Sequence, residues 1–201
     1  MANVNLAVIY YSSTGTNYRL AKLAEDSVKD RSAEVRVLRV QELAPESVIE
    51  SNPEWKDHYE KTKSIPVASP DDLEWADAII FCVPTRFGNI ASQMQQFLDT
   101  TGGLWFEGKL INKVVSAMSS SDSPHGGQEA TILSLYTSMY HWGAIVAAPG
   151  YTDDVTFEAG GNPYGTSVTT EYGISEKVAE AAKHQAKRVV TVAGWVKNGD
   201  R

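Results

Sequence analysis

Leu6-Ala7-Val8-Ile9-Tyr10-Tyr11-Ser12-Ser13-Thr14-Gly15-Thr16-Asn17 is the stretch that decides the fold. Its first six residues are a continuous apolar, β-rich run, the pattern of a strand buried on both faces, and the run stops at a cluster of turn and cap residues. Beyond the cluster, Leu20, Ala21, Ala24 and Val28 recur at helical spacing with Lys22, Glu25, Asp26 and Lys29 between them. Strand, loop and helix therefore follow in order. The junction offers hydroxyls, a glycine and the free N–H groups of a helix start. A dianionic phosphate can be held there without a lysine, because oriented amides and the positive helix end supply the field. In isolation the same string reads as an ordinary capped helix.

The unit recurs downstream. Val35, Val37 and Val40 predict a second strand, Ala78–Val83 a third that breaks at Pro84, Lys113–Met118 a fourth and Ala144–Ala148 a short fifth. Ala91, Met94 and Leu98 form a helical stripe after the third strand, a helix is expected from about Gln128 to His141, and the last begins near Ser175. Alternation of this kind requires an α/β fold, a doubly wound five-stranded parallel sheet with helices on both faces, whose ligands bind outside the carboxyl ends of the strands. The chain reads as one domain over residues 1–201, with irregular insertions at about 41–70 and 151–173. The second leaves the ligand edge and is the better candidate for function.

Composition narrows the partners. At 201 residues and 42% hydrophobic, the chain can bury a sizeable core. A net charge of -7 without any Lys/Arg run opposes a nucleic-acid surface. The lone cysteine, Cys82, sits in an apolar run and excludes an intrachain disulfide. The N-terminal apolar stretch is too short for a membrane span or a signal-peptide core, so a cytoplasmic protein with no membrane partner is expected. His58 and His184 have no second ligand at metal spacing and are read as surface residues; no metal site is expected.

The junction lacks G-x-x-x-x-G-K-[ST] and G-x-G-x-x-G, which counts against nucleoside-triphosphate hydrolysis and classical dinucleotide binding. Tyr10-Tyr11 and Val83-Pro84-Thr85, at the ends of the first and third strands, lack the acidic residues of a phosphate-accepting response regulator. The loop itself, S-S-T-G-T-N, resembles the FMN phosphate loop of flavodoxins. P-T-R-F-G-N at 84–89 and T-G-G-L-W at 101–105 are similar to the WrbA family of flavodoxin-like NAD(P)H:quinone oxidoreductases. G-G-Q-E at 126–129, His141-Trp142-Gly143, Pro149-Gly150-Tyr151 and G-G-N-P-Y-G at 160–165 extend the resemblance, in order, over nearly the whole chain.

The resemblance implies FMN held by Ser12, Ser13, Thr14, Gly15, Thr16 and Asn17 at the phosphate. Pro84, Thr85, Arg86, Phe87 and Gly88 are then expected at the ring, and Ser119, Ser120, Ser121, Asp122 and Gly127 in the loop after the fourth strand, with His141 nearby. It places Trp105, His141 and Tyr151 as walls of a pocket for a flat substrate above the flavin. It further implies that no side chain is catalytic in its own right, and that hydride passes through flavin N5 from NADH or NADPH to a quinone, in ping-pong order, within a homotetramer. The alternative on the same motifs is a flavodoxin, a one-electron carrier, which needs neither the 160–165 insertion nor the T-G-G-L-W loop.

Overall fold

A computed structural model describes residues 3–29 and 31–199. Strand β1 (Val4–Tyr10) leads into α1 (Thr16–Val28), β2 (Ala33–Arg39) into α2 (Glu46–Ser51), α3 (Pro53–Thr62) and α4 (Pro70–Trp75), and β3 (Ala78–Arg86) into the short return strand β4 (Asn89–Ile90) and helices α5 (Ser92–Asp99) and α6 (Gly102–Phe106). The chain continues through β5 (Val114–Ser121), α7 (Gln128–His141), β6 (Ile145–Val146), α8 (Val155–Glu158), β7 (Ser167–Thr169) and α9 (Glu176–Gly199). The main sheet runs β2-β1-β3-β5-β6, every pairing parallel. This is the doubly wound order expected from the alternation.

Period-two alternation divides each central strand between two cores. Ala7, Ile9, Tyr11, Ile79, Phe81, Val83 and Ala117 face one side with Met94 and Phe97 of α5 and Ile132, Leu135 and Met139 of α7. Leu6, Val8, Ala78, Ile80, Cys82 and Met118 face the other with Leu20 and Ala24 of α1 and Ala182, Ala186 and Val189 of α9.

Three features differ from the reading of the sequence. First, β3 does not break at Pro84; it runs on to Arg86, with Pro84 paired to Ser120. The Cys82 carbonyl accepts the Tyr11 N–H, so two residues on the missing N–H of Pro84 faces the same side, where β1 has already ended and no ladder bond is lost. Second, the insertion at 41–70 contains two helices: Asn52 caps α3 by accepting from the N–H groups of Glu54 and Trp55, and Pro53 occupies its first turn. Third, the fifth strand is split. β6 pairs with Val114 and Val115 at the start of β5, the chain departs, and β7 returns to pair with Ser119–Ser121 at its end. The second insertion thereby extends the sheet at the ligand edge.

Gln185 of α9, fully buried, fixes that return. Its amide oxygen accepts from the Thr166 N–H and hydroxyl at 2.8 Å each, and its amide nitrogen donates to Ser116 Oγ and the Ala117 carbonyl. Gln185→Leu strands these groups in an apolar interior and is expected to cost on the order of 2–4 kcal/mol. In differential scanning calorimetry that reads as a Tm lowered by roughly 5–15 °C; a loss of only a degree or two would show that the network relaxes onto water.

Candidate functional site

The carboxyl ends of β1, β3 and β5 open onto a cleft of about 570 Å³. Ser12, Ser13, Thr14, Thr16 and Asn17 line it from the first junction, Pro84–Phe87 from the end of β3 and the turn after it, Ser120 and Ser121 from the end of β5, and Asp122, Ser123 and Gly126 from the loop that follows. Thr170, just past β7, closes the remaining side and bonds Asp122 Oδ1 at 2.8 Å. The sequence reading missed Thr170, Ser123 and Gly126. Thr170 comes from the insertion singled out as functional, and only the strand pairing of β7 with β5 brings it to the cleft.

The junction has the local geometry of an anion cradle. Gly15 holds a left-handed backbone (φ 98°) that lets the chain turn from strand to helix, and its N–H is bonded to Ser12 Oγ. No side chain caps α1, so the first-turn amides face the cleft edge with the positive end of the helix behind them. Asn17 is 2% exposed; its Nδ2 donates to Ser120 Oγ, while its Oδ1 has no donor, and neither has the Ser119 hydroxyl. Buried acceptors without donors are uncommon, and of these two residues Asn17 lines the cleft, where a ligand hydroxyl can bind.

Opposite, the β3–β4 turn is pinned by Thr85, whose Oγ1 accepts the Gly88 N–H and the Thr131 hydroxyl and donates to the Gly126 carbonyl. Gly127 starts α7 and lies against Gly88 so closely that a Cβ on it would sit 2.8 Å from the Gly88 Cα. Phe87 stands fully exposed in a left-handed conformation (φ 52°) that non-glycine residues seldom adopt, the kind of strain that accompanies ligand contact. The Arg86 guanidinium reaches back across the cleft mouth to Ser13 Oγ, 3.2 Å, and to the Thr85 carbonyl.

Other expected site residues fall elsewhere. Ser119–Ser121 belong to β5 rather than to a loop, and the fully buried Ser119 does not line the cleft. Gly15, Gly88 and Gly127 shape it through their backbones without lining it. His141 ends α7 beside Trp105, whose indole N–H donates to the His141 carbonyl at 2.9 Å; the pair lines a separate cavity of about 250 Å³ with Gln95, Thr101 and Trp142. Tyr151 joins neither space: it stacks on Phe157, ring centroids 4.4 Å apart, and donates to the Gly161 carbonyl. One chain therefore brings Trp105 and His141 together but does not set them, or Tyr151, on its own cleft.

Tyr11, at the end of β1, is tied to Gln93 and to Glu42, and burial pushes its phenol up to about 12. It serves as a neutral strut. Cys82 is buried in β3 and its thiol is raised far out of the nucleophilic range by desolvation. No group of three or more His, Cys, Asp or Glu side chains among the described residues could hold a metal.

His58 is not the surface residue the sequence suggested. It is half-buried, its ring 5.6 Å from that of Tyr18 and its Nδ1 3.3 Å from where a Cβ on Gly15 would lie. Helix α3 thus braces the anion cradle from behind.

The NADPH-dependent FMN reductase family matches residues 4–153. A Deinococcus radiodurans protein named NAD(P)H dehydrogenase (quinone) is 50% identical over 190 residues, covering 94% of this chain and 95% of its own length. A protein of the same name from Rhizobium rhizogenes is 41% identical over 197 residues, covering 92% and 95%. Among solved structures, a WrbA-like flavodoxin from Agrobacterium tumefaciens superposes with a TM-score of 0.66 at 22% identity, covering 96% of this chain and 98% of the other. The apo form of an NADH:FMN oxidoreductase does so with a TM-score of 0.63 at 17% identity, covering 94% and 89%. At those identities the two structures speak to the fold alone.

Burial lowers the His58 pKa below its ordinary 6.5; Arg19 and Lys61 act in the same direction, and Asp57 against them. The unfolded chain therefore binds a proton where the native chain does not, and stability is lost as the pH falls below that value. The acid-side decline in Tm between pH 7 and 5 is expected to be shallower in His58→Gln than in the parent; superimposable profiles would show that other groups carry it.

Proposed function

This chain belongs to the NADPH-dependent FMN reductase family, and from that premise we propose that it is an FMN-dependent NAD(P)H:quinone oxidoreductase. The observation that carries the reading is the cleft: an uncapped helix start ringed by hydroxyls at one end and an exposed, strained Phe87 at the other. The names of the relatives supply the acceptor class. The residues fit the cofactor. A phosphate answers the free helix end, ribityl hydroxyls answer the unpartnered Asn17 Oδ1, and a flat ring answers the turn at Thr85–Gly88. When bound, FMN supplies two-electron chemistry, taking a hydride at N5 from NADH or NADPH and passing both electrons to the quinone.

The protein binds and orients. Ser12, Thr14 and Thr16 hydroxyls, with the first amides of α1, hold the phosphate and need no lysine to do so. Ser120, Ser121, Asp122 and Thr170 line the wall on the β5 side and offer partners to the ribityl chain. The Thr85 hydrogen bonds hold the β3–β4 turn and the Gly126–Gly127 loop in fixed relation, so backbone groups reach the ring edge pre-organised.

Trp105 and His141 are assigned to the substrate wall, as is Tyr151. Since Trp105 and His141 lie apart from their own chain's cleft, they serve the cleft of a neighbouring copy, in a homotetramer. The exposed apolar side chains close to them in the chain, Phe106, Ile111 and Tyr140, fit burial in such an assembly. No described helix is long and apolar enough to cross a membrane; a cytoplasmic location is part of the same reading.

Replacing Ser12 and Thr14 together by Ala removes two hydroxyl donors to a charged group, and FMN affinity is expected to fall at least about tenfold while the circular dichroism spectrum stays unchanged. Fluorescence titration measures it, and undiminished affinity would displace the phosphate from this loop. Trp105→Ala or His141→Ala should leave FMN affinity intact and slow the reoxidation of reduced enzyme by benzoquinone in anaerobic stopped flow. A wild-type flavin that neither nicotinamide reduces would overturn the oxidoreductase reading in favour of an electron carrier.

A further inference from the structure

Beside the cleft lies a second space of about 620 Å³, bounded by α3, the β3–β4 turn, α5 and α7. Its lining includes Trp55, Arg86, Asn89, Gln93, Gln95 and Ser134. Arg86 also lines the cleft, so the two spaces adjoin at its guanidinium. The volume suits a ligand of nucleotide size. Its chemistry is unlike the rest of the surface: the chain carries a net charge of -7, yet no carboxylate is among the lining residues. Glu42, which bonds Tyr11 and Gln93, stays out of the lining, and its Oε1 also accepts the Leu43 and Ala44 N–H groups.

Among the described residues Arg86 is the one cation in the lining. Its hydrogen bonds go to Ser13 Oγ and the Thr85 carbonyl, both neutral, and it forms no ion pair among the described residues. A cation left without a counter-charge, in a cavity from which acids are absent, matches an anionic ligand. Trp55 adds a half-buried indole face, and the amides and hydroxyls match the edge of a heterocycle better than a hydrocarbon tail.

We propose that this space takes the adenosine diphosphate half of the nicotinamide donor, with Trp55 stacked on the adenine and Arg86 meeting the diphosphate at the border of the cleft. The inference rests on the oxidoreductase reading. A dinucleotide whose nicotinamide lies in the cleft must carry its second nucleotide past the cleft mouth, and the Arg86 border is where the adjoining space begins. It also gives the helical insertion at 41–70 a role: α3 carries His58 against the anion cradle and Trp55 into the nucleotide space. Nothing in this region tells a 2′-hydroxyl from a 2′-phosphate, so ADP is the appropriate probe.

The test is calorimetric titration of the FMN-loaded protein with ADP, alongside steady-state kinetics with NADH and with reduced nicotinamide mononucleotide, which lacks the adenylate. Wild type should bind ADP in competition with NADH. Trp55→Ala should weaken ADP and raise the KM for NADH about tenfold, the scale of a lost base–aromatic stack, with the KM for the mononucleotide and for benzoquinone unmoved. Trp55→Phe should restore most of the loss. Ser134→Asp, on another element, should weaken ADP by placing a carboxylate in the space. The proposal is overturned if wild type does not bind ADP, if neither Trp55→Ala nor Ser134→Asp changes ADP affinity, or if Trp55→Ala raises the KM for the mononucleotide as much as for NADH. Should ADP bind through Trp55 while neither nicotinamide reduces the flavin, the nucleotide site stands and the proposed function falls.

Discussion

Helix α1 begins without a side-chain cap, and much of the binding edge is arranged around that omission. Gly15 stands at the N-cap position, where glycine loses only a few tenths of a kcal/mol against a hydroxyl cap, and the hydroxyls of Thr14 and Thr16 on either side of it line the cleft. The helix end is free for an anion because β1 delivers it to the cleft at the edge of a covered sheet. Tyr11 and Ser13 then connect this edge to Glu42 and Arg86, so the first strand–helix junction, the first insertion and the β3–β4 turn share one hydrogen-bonded frame.

The opposite wall depends on a different device. α7, like α1, starts at a left-handed glycine without a side-chain cap, and Gly127 lets two backbones meet at Gly88, where a Cβ on Gly127 would hold them apart. The wall on the third side comes from β7, which extends the sheet only because Gln185 satisfies the polar groups that the returning chain buries. Each side of the cleft is thus held by groups that contact the scaffold rather than a ligand.

The parallel sheet, its buried strands and the first strand–helix junction were legible because apolar runs and helical stripes are local signals, and Gln128–His141 coincides with the observed α7. What escaped was non-local. Pro84 reads as a strand breaker unless one knows that β1 has ended beside it, and Ser119–Ser121 read as a loop until β7 pairs with them. His58 looks solvated in a charged segment, and only the packing of α3 on Gly15 and Tyr18 buries it. Trp105, His141 and Tyr151 fall on separate loops or element ends, as motif order implied, but spacing along the chain does not say which cleft a residue faces.

The split fifth strand also sets an order in time. Synthesis runs from the N-terminus, and β1, β3 and β5 can pair, and α1 can pack on them, while the last third of the chain is still being made. The remaining cleft wall needs Thr170, and its anchor needs Gln185, both well after β5 in the chain. Until those residues have been made, the cradle stands open with one side missing.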